Sequence, residues 1–174
     1  MIETERLTLF PLTYDLLLMY HRNDHSLETA LKVYPGSRTI SAELKEALEQ
    51  TILPNVAKPD QNYLYHTLWT IIHRSEKQLV GDLCMVGAPN AVGEIEIGYG
   101  TYEQFRQQGF MKEAVGGIIQ WAKSQPGVHA IIASTVKNNV ASFRILEKNN
   151  FIKVRETEDL FHWQLVFTDQ TTQV

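Results

Sequence analysis

The sequence predicts a mixed α/β (α+β) fold: a mostly antiparallel sheet of about six to seven strands, flanking helices and one central parallel strand pair. Three observations carry that expectation. Over residues 63–102, three strand-like apolar runs follow one another with short polar breaks, the pattern of an antiparallel meander. Met111, Ala114, Val115, Ile118, Ile119 and Ala122 then recur at i, i+3, i+4, i+7, i+8 and i+11, the apolar stripe of an amphipathic helix. Residues 130–136 return as a buried strand, and strand, helix and strand in that order form a crossover whose two strands run parallel.

Each element has its own local reason. Residues 6–10 alternate like a strand, and Pro11-Leu12-Thr13 leads into a helix carrying Leu16, Leu17, Met19 and Tyr20. A loop-rich stretch follows. Ser41 is an N-cap for a second helix, in which Leu44, Ala47 and Leu48 recur until Pro54 stops the run, and Pro59-Asp60-Gln61-Asn62 marks a turn. The meander strands are residues 63–73, 79–86 and 92–102, divided by Arg74-Ser75-Glu76-Lys77 and by Ala88-Pro89-Asn90. The striped helix ends before Pro126-Gly127. A short helix over residues 140–148 and strands at 151–155 and 160–167, joined by Glu158-Asp159, complete the sheet. No linker, repeat or low-complexity tract divides the 174 residues, so a single domain is expected.

Composition narrows the setting. With 44% apolar and 21% charged residues the chain can build one ample core. A net charge of -4 and a pI near 5.9 speak against a general binder of nucleic acid or of anionic membranes. The lone Cys84 cannot form an internal disulfide, which fits a reducing cytosol. Met1-Ile2-Glu3-Thr4-Glu5 begins no signal peptide, and no apolar run approaches the ~18 residues of a membrane span. A cytoplasmic protein is the expectation.

The striped helix opens on Arg106-Gln107-Gln108-Gly109-Phe110-Met111-Lys112, directly after a strand. The first N–H groups of a helix have no partner within it, and the macrodipole adds about half a positive charge there, so this segment suits an anion such as phosphate. Gly109 lets the backbone come close to that ligand. Two familiar phosphate loops are excluded: no G-x-x-x-x-G-K-[ST] occurs, and Gly98-Tyr99-Gly100 lacks the third glycine of G-x-G-x-x-G.

What remains, Arg106-x-x-Gly109-x-Met111, resembles the pyrophosphate loop Q/R-x-x-G-x-G/A of the GNAT superfamily of acyl-CoA N-acyltransferases. A second motif follows in the order that family has. Asn139-Val140-Ala141-Ser142 and Leu146-Glu147-Lys148-Asn149-Asn150-Phe151 are similar to its N-x-x-S and L-x-K-x-G-F. Asn150 replaces the usual glycine, and Asn is the residue best able to take a left-handed C-cap in its place. Met111 also departs from the pattern, but its backbone N–H survives. With Arg6-Leu7-Thr8-Leu9 and Glu96-Ile97-Gly98-Tyr99, the likeness is to the ribosomal-protein-alanine N-acetyltransferase branch and covers roughly residues 3–157.

The resemblance implies the GNAT fold, with its central parallel pair splayed at the cofactor site, and acetyl transfer from acetyl-CoA to a primary amine by direct attack in a ternary complex, without a metal. It implies that backbone N–H groups of Gln107, Gln108, Gly109, Phe110, Met111 and Lys112 hold the pyrophosphate. Arg106 and Lys112 would add charge, Ile97 and Tyr99 would make main-chain contacts to pantetheine, and Asn139 would touch its arm. An alkyl amine with a pKa near ~10 is only about 0.1% neutral at pH 7, so a proton must leave before attack. Glu94, Glu96, Gly98 and Gly100 share one strand face. Glu96 is the better general-base candidate; both glutamates also fit a solvated strand face or an acceptor-ammonium site. Ser142 matches a family serine that protonates the leaving thiolate, or else it is a helix-start residue bonded to backbone.

Other residues point to structure. Cys84, within Leu83-Cys84-Met85-Val86, reads as a buried small hydrophobe. His21-x-x-x-His25 has helical metal-ligand spacing but no third ligand. Trp69, Trp121 and Trp163 read as core. The acceptor is open between a protein N-terminus and a small amine, as is monomer against homodimer. The competing function is a non-catalytic acyl-CoA-binding sensor or scaffold.

Overall fold

A computed structural model describes residues 1–168 of the chain. In chain order the elements are β1 (Ile2–Glu3), β2 (Leu7–Pro11), α1 (Tyr14–Arg22), α2 (Ser26–Leu31), α3 (Ala42–Ala47), α4 (Leu53–Val56), β3 (Leu68–His73), β4 (Gln78–Met85), β5 (Glu94–Thr101), α5 (Phe110–Lys123), β6 (Ala130–Val136), α6 (Val140–Lys148), β7 (Ile152–Glu156) and β8 (Leu160–Val166). One eight-stranded sheet runs β1-β2-β3-β4-β5-β6-β8-β7. Every pairing is antiparallel except β5 with β6, the pair that the α5 crossover joins. Among the described residues no helix is long and apolar enough to cross a membrane.

Two apolar layers hold the sheet. The α5 stripe packs Ala114, Val115 and Ile118 onto Leu9, Ile71 and Ile95 on one face. Leu17, Tyr20, Leu27 and Leu48 cover Leu68 and Leu79 on the other. Each aliphatic side chain removed from water in this way contributes about 1.5–3 kcal/mol. Trp69 and Trp163 lie in the first layer, and the half-buried Trp121 ring stands 5.3 Å from that of Trp69. Gly117 lets α5 approach β1 and β2 closely, since a Cβ there would lie 3.0 Å from the Thr4 methyl.

The structure differs from the sequence reading in several places. The sheet has eight strands rather than six to seven, because Ile2–Glu3 adds β1 beside β2. Residues 26–31 form α2 where a loop was expected. Residues 63–65 are a 3-10 turn, begun by the Asn62 side chain accepting from the Leu64 N–H, so β3 starts only at Leu68. Pro54 does not stop the second helix. Residues 48–52 widen into a π-turn, in which Leu53 N–H reaches back to the Leu48 carbonyl, and the helix then runs through Pro54 to Val56. The longer hydrogen-bond reach absorbs the donor that proline lacks. Asn150 takes the left-handed conformation expected of it, with φ 66°.

A bulge aims part of β4. Ile71 stands opposite Gly81 and Ile72 opposite Leu79, leaving Val80 as an extra residue. The extra residue inverts the alternation, so Leu79 and Cys84 belong to the α1 face while Val80, Leu83 and Met85 face α5. Asp82, two residues from Cys84, consequently meets Tyr20 of α1.

Candidate active site

A 3-10 turn, Glu103–Phe105, links β5 to the loop that opens α5. Gln107 (φ 61°) and Gly109 (φ 79°) take left-handed backbone there, a conformation natural to glycine and uncommon for glutamine. Among the described residues, none of the N–H groups of residues 107–112 donates a hydrogen bond. The Phe110 and Met111 side chains are buried, so these positions offer their amides alone. Arg106 and Lys112 are exposed beside the loop and take part in no ion pair within the described residues.

Arg6 braces this loop from β2's approach. Its Nε lies 2.7 Å from Glu113 Oε2, its Nη1 donates to the Gln108 carbonyl at 3.1 Å, and its guanidinium lies 4.7 Å from the centre of the Phe110 ring. Glu113 Oε1 accepts from Thr4 Oγ1 at 2.6 Å and from the Arg6 N–H at 2.7 Å. Burial alone would raise the Glu113 pKa, but the Thr4 and Arg6 donors and the Arg6 charge together hold it below the ordinary value. The motif resemblance flagged Arg6; nothing in the sequence pairs it with Glu113, 107 positions later.

The pairing of β5 with β6 ends at Glu96 opposite Ile132, whereas β5 stays paired with β4 out to Thr101. The strands therefore part beyond Glu96. The Val86 N–H bonds the Glu96 carbonyl, and the Tyr102 N–H the Val80 carbonyl. By strand alternation the N–H and C=O of Ile97, Tyr99 and Thr101 then face the open cleft. The Ile97 side chain itself is core.

Across the cleft, Asn139 caps α6 by accepting from the Ser142 N–H at 3.1 Å. The Tyr99 hydroxyl donates to the Ser142 carbonyl at 2.8 Å, and Ser142 Oγ lies 3.3 Å from the same hydroxyl. Burial pushes the Tyr99 pKa up to about 12, so its phenol keeps its proton at neutral pH. The resemblance had assigned Tyr99 a main-chain role; its side chain in addition holds the candidate acid.

On the α1 face, a cavity of about 650 Å³ runs along β4 and β5, lined among others by Asp82, Cys84, Gly98, Tyr99, Gly100 and Arg106. Glu96 is half-buried where the strands part and does not line this cavity. Glu94 is structural: its carboxylate accepts from Asn90 Nδ2 at 2.9 Å and from Gln164 Nε2 at 2.8 Å. Cys84 is only partly buried, because its side of β4 meets the cavity, and burial pushes its thiol pKa up to about 11. His21 pairs with Glu49 at 2.8 Å, and α1 ends at a left-handed Asn23, so His25 lies outside that helix.

A family model described as Acetyltransferase (GNAT) domain matches residues 6–152, which contain the loop, the parting strands and both motifs. The chain belongs to this GNAT acetyltransferase family. It is similar to the uncharacterized N-acetyltransferase YjdG of Bacillus subtilis strain 168, at 28% identity over 167 residues, 94% of this chain and 96% of that one. Its fold is shared by the ribosomal-protein-S5-alanine acetyltransferase of Vibrio fischeri, with a TM-score of 0.70, 16% identity and 98% of each chain covered. It is shared also by RimL, a ribosomal L7/L12 alpha-N-protein acetyltransferase solved with coenzyme A, with a TM-score of 0.64, 14% identity and 94% of this chain and 95% of that one covered.

In this GNAT domain, the free amides of the loop and the free main-chain edge of β5 succeed one another along the chain, and Ser142 stands across the cleft from that edge. Asn139 is committed in part, since its carbonyl oxygen caps α6.

Proposed function

We propose that the protein transfers the acetyl group of acetyl-CoA to a primary amine, by direct attack while both are bound. The run of free amides at residues 107–112, beside the free main-chain edge of β5, carries this reading. These groups fit the donor. Backbone N–H groups at a helix start suit a pyrophosphate, the glycine at 109 keeps side-chain bulk away from it, and an exposed strand edge suits an amide-bearing arm. A CoA-bound RimL among the structural relatives supports the same ligand.

Acetyl-CoA would supply an activated acetyl thioester. The amides of Gln107, Gln108, Gly109, Phe110, Met111 and Lys112 would hold its pyrophosphate, with Arg106 and Lys112 adding charge. The main chain at Ile97 and Tyr99 would pair with the pantetheine arm, and Asn139 Nδ2, left free by the cap, would donate to it. Glu96, where the strands part, would take the proton that the amine must lose, through water. Ser142 Oγ would return a proton to the departing sulfur, with the Tyr99 hydroxyl as its neighbour. The acceptor is a protein N-terminus or a small amine, and the setting is cytoplasmic.

Calorimetry with acetyl-CoA and mass spectrometry of acetyl transfer to N-terminal peptides, polyamines, amino acids and aminoglycosides test the reading. Binding with transfer is expected, and Gly109→Glu should abolish both. Binding without transfer to any amine would favour a sensor, and unchanged binding by Gly109→Glu would overturn the loop assignment.

A further inference from the structure

The cavity wall contains a carboxylate that the steps above leave unused. Asp82 is 8% exposed and lines the cavity together with Tyr20 and Tyr102. Both phenols donate to its Oδ2, each at 2.7 Å, while Oδ1 is itself buried and makes no close hydrogen bond. Thr70 stands opposite on β3, and its hydroxyl is likewise without a partner. No described cation is in contact with Asp82. Arg38, the nearest basic influence on it, is turned to Glu28 at 3.4 Å and to the Tyr20 carbonyl at 3.3 Å, with its guanidinium 4.4 Å from the centre of the Tyr20 ring.

A buried carboxylate without a cationic partner is costly, and two neutral donors offset that cost only in part. Burial raises the Asp82 pKa, and the two phenols, Arg38 and the Thr70 hydroxyl offset that rise only in part. A bound cation would act in the same sense as those donors. The face of β5 between Asp82 and the cleft is uncovered as well. Gly100 is the direct partner of Asp82 in the neighbouring strand, Gly98 is the partner of Cys84, and no side chain on that face of β5 intervenes. One strand spacing, about 4.8 Å, separates Asp82's row from the β5 edge that faces the cleft. Hydroxyl and apolar surface from Ser37, Thr39, Ser41, Leu44 and Leu68 makes up much of the remaining wall, which also carries the charged Glu103 and Arg106.

We infer that the Tyr20–Asp82–Tyr102 cluster is the acceptor's recognition point, binding the primary ammonium group of the amine at the Asp82 carboxylate, with the phenol oxygens completing its hydrogen bonds. Asp82 thereby selects for a cationic acceptor at the cavity wall, opposite Gly100. Its part in catalysis rests on the transfer reading; its binding of a cation does not. A primary ammonium can come from a peptide N-terminus or from a small amine, and the test separates the two.

The probes are an alanine-initiated hexapeptide, 1,4-diaminobutane and, as the uncharged control, 1,4-butanediol, titrated by calorimetry into protein saturated with a thiol-free CoA analogue. At least one amine should bind, the diol should not, and Asp82→Asn should weaken the amine by about 30-fold or more while leaving the analogue's affinity unchanged. Asn still accepts from both phenols, so the thermal midpoint should hold. Tyr102→Phe, which keeps the carboxylate, should weaken the amine by about three- to tenfold. Whichever amine shows the Asp82 dependence identifies the source. Equal amine affinity in Asp82→Asn and wild type, or no amine binding above the diol in wild type, overturns the inference. Asp82-dependent binding without acetylation would leave the inference standing and remove the transfer reading. Acetylation with an amine KM unchanged in Asp82→Asn would do the reverse.

Discussion

The hydroxyl of Tyr99 donates to the carbonyl of Ser142 at 2.8 Å, tying the free edge of β5 to the first turn of α6 across the cleft. Two proton-bearing groups are thereby brought together, since Ser142 Oγ lies 3.3 Å from the same phenol. If either can protonate a departing thiolate, removing one leaves the other. Ser142→Ala is expected to lower kcat by about tenfold, and the double variant with Tyr99→Phe by about 100-fold or more, at unchanged KM for acetyl-CoA. Steady-state kinetics on the first acceptor found decides it, and a double variant with wild-type kcat would remove both residues from the chemistry.

Glu113 supports the loop at residues 106–109 from behind, through Thr4 and Arg6. Glu113→Gln should destabilise the fold by about 2 kcal/mol at pH 7, the scale of charge-assisted hydrogen bonds in a partly buried site. The sign with pH follows from the lowered folded pKa. The stabilisation is fully present above the ordinary glutamate value of 4.5 and is lost as pH falls below it through the depressed folded value. Urea unfolding should show the gap between wild type and variant narrowing below that pH. A gap that stays constant or widens in acid would contradict the network.

Gly109 is held at φ 79°, with room for a Cβ only 3.4 Å from Arg6 Nη2. Gly109→Ala should cost about 1–2 kcal/mol of local stability from its left-handed backbone and weaken acetyl-CoA binding by about tenfold. Gly109→Asn should be the milder change. Alanine and asparagine variants of equal affinity would show that the backbone conformation is not what matters.

Cys84 borders the cavity, yet burial pushes its thiol pKa up to about 11. At pH 8 only about 0.1% is thiolate. Iodoacetamide should therefore label native protein far more slowly than unfolded protein, and Cys84→Ala should retain acetyl transfer. A stable acetyl adduct on Cys84, seen by mass spectrometry, would instead indicate a covalent route.

The proposed donor half of the site is written in contiguous sequence. Arg106, Gly109 and Met111 open a helix after a strand, and Asn139 caps the next helix three residues before Ser142, so local rules of helix starts reach them. The proposed acceptor half is not. Tyr20, Asp82 and Tyr102 come from a helix and two strand regions, and their meeting depends on the extra residue at Val80, which inverts the alternation of β4. The π-turn that carries a helix through Pro54 escaped the reading for a similar reason, since a single-residue change of hydrogen-bond reach leaves no periodic trace.

By itself the sequence determined the crossover and the helix start after Gly109, because periodicity and capping act within a few residues of where they are written, and its two motifs carried the resemblance to the superfamily. Only the tertiary structure decided that Arg6 braces the loop through Glu113, that Tyr99 meets Ser142 and that Asp82 faces α1. Those contacts join residues far apart in the chain, and packing between layers rather than local preference selects them.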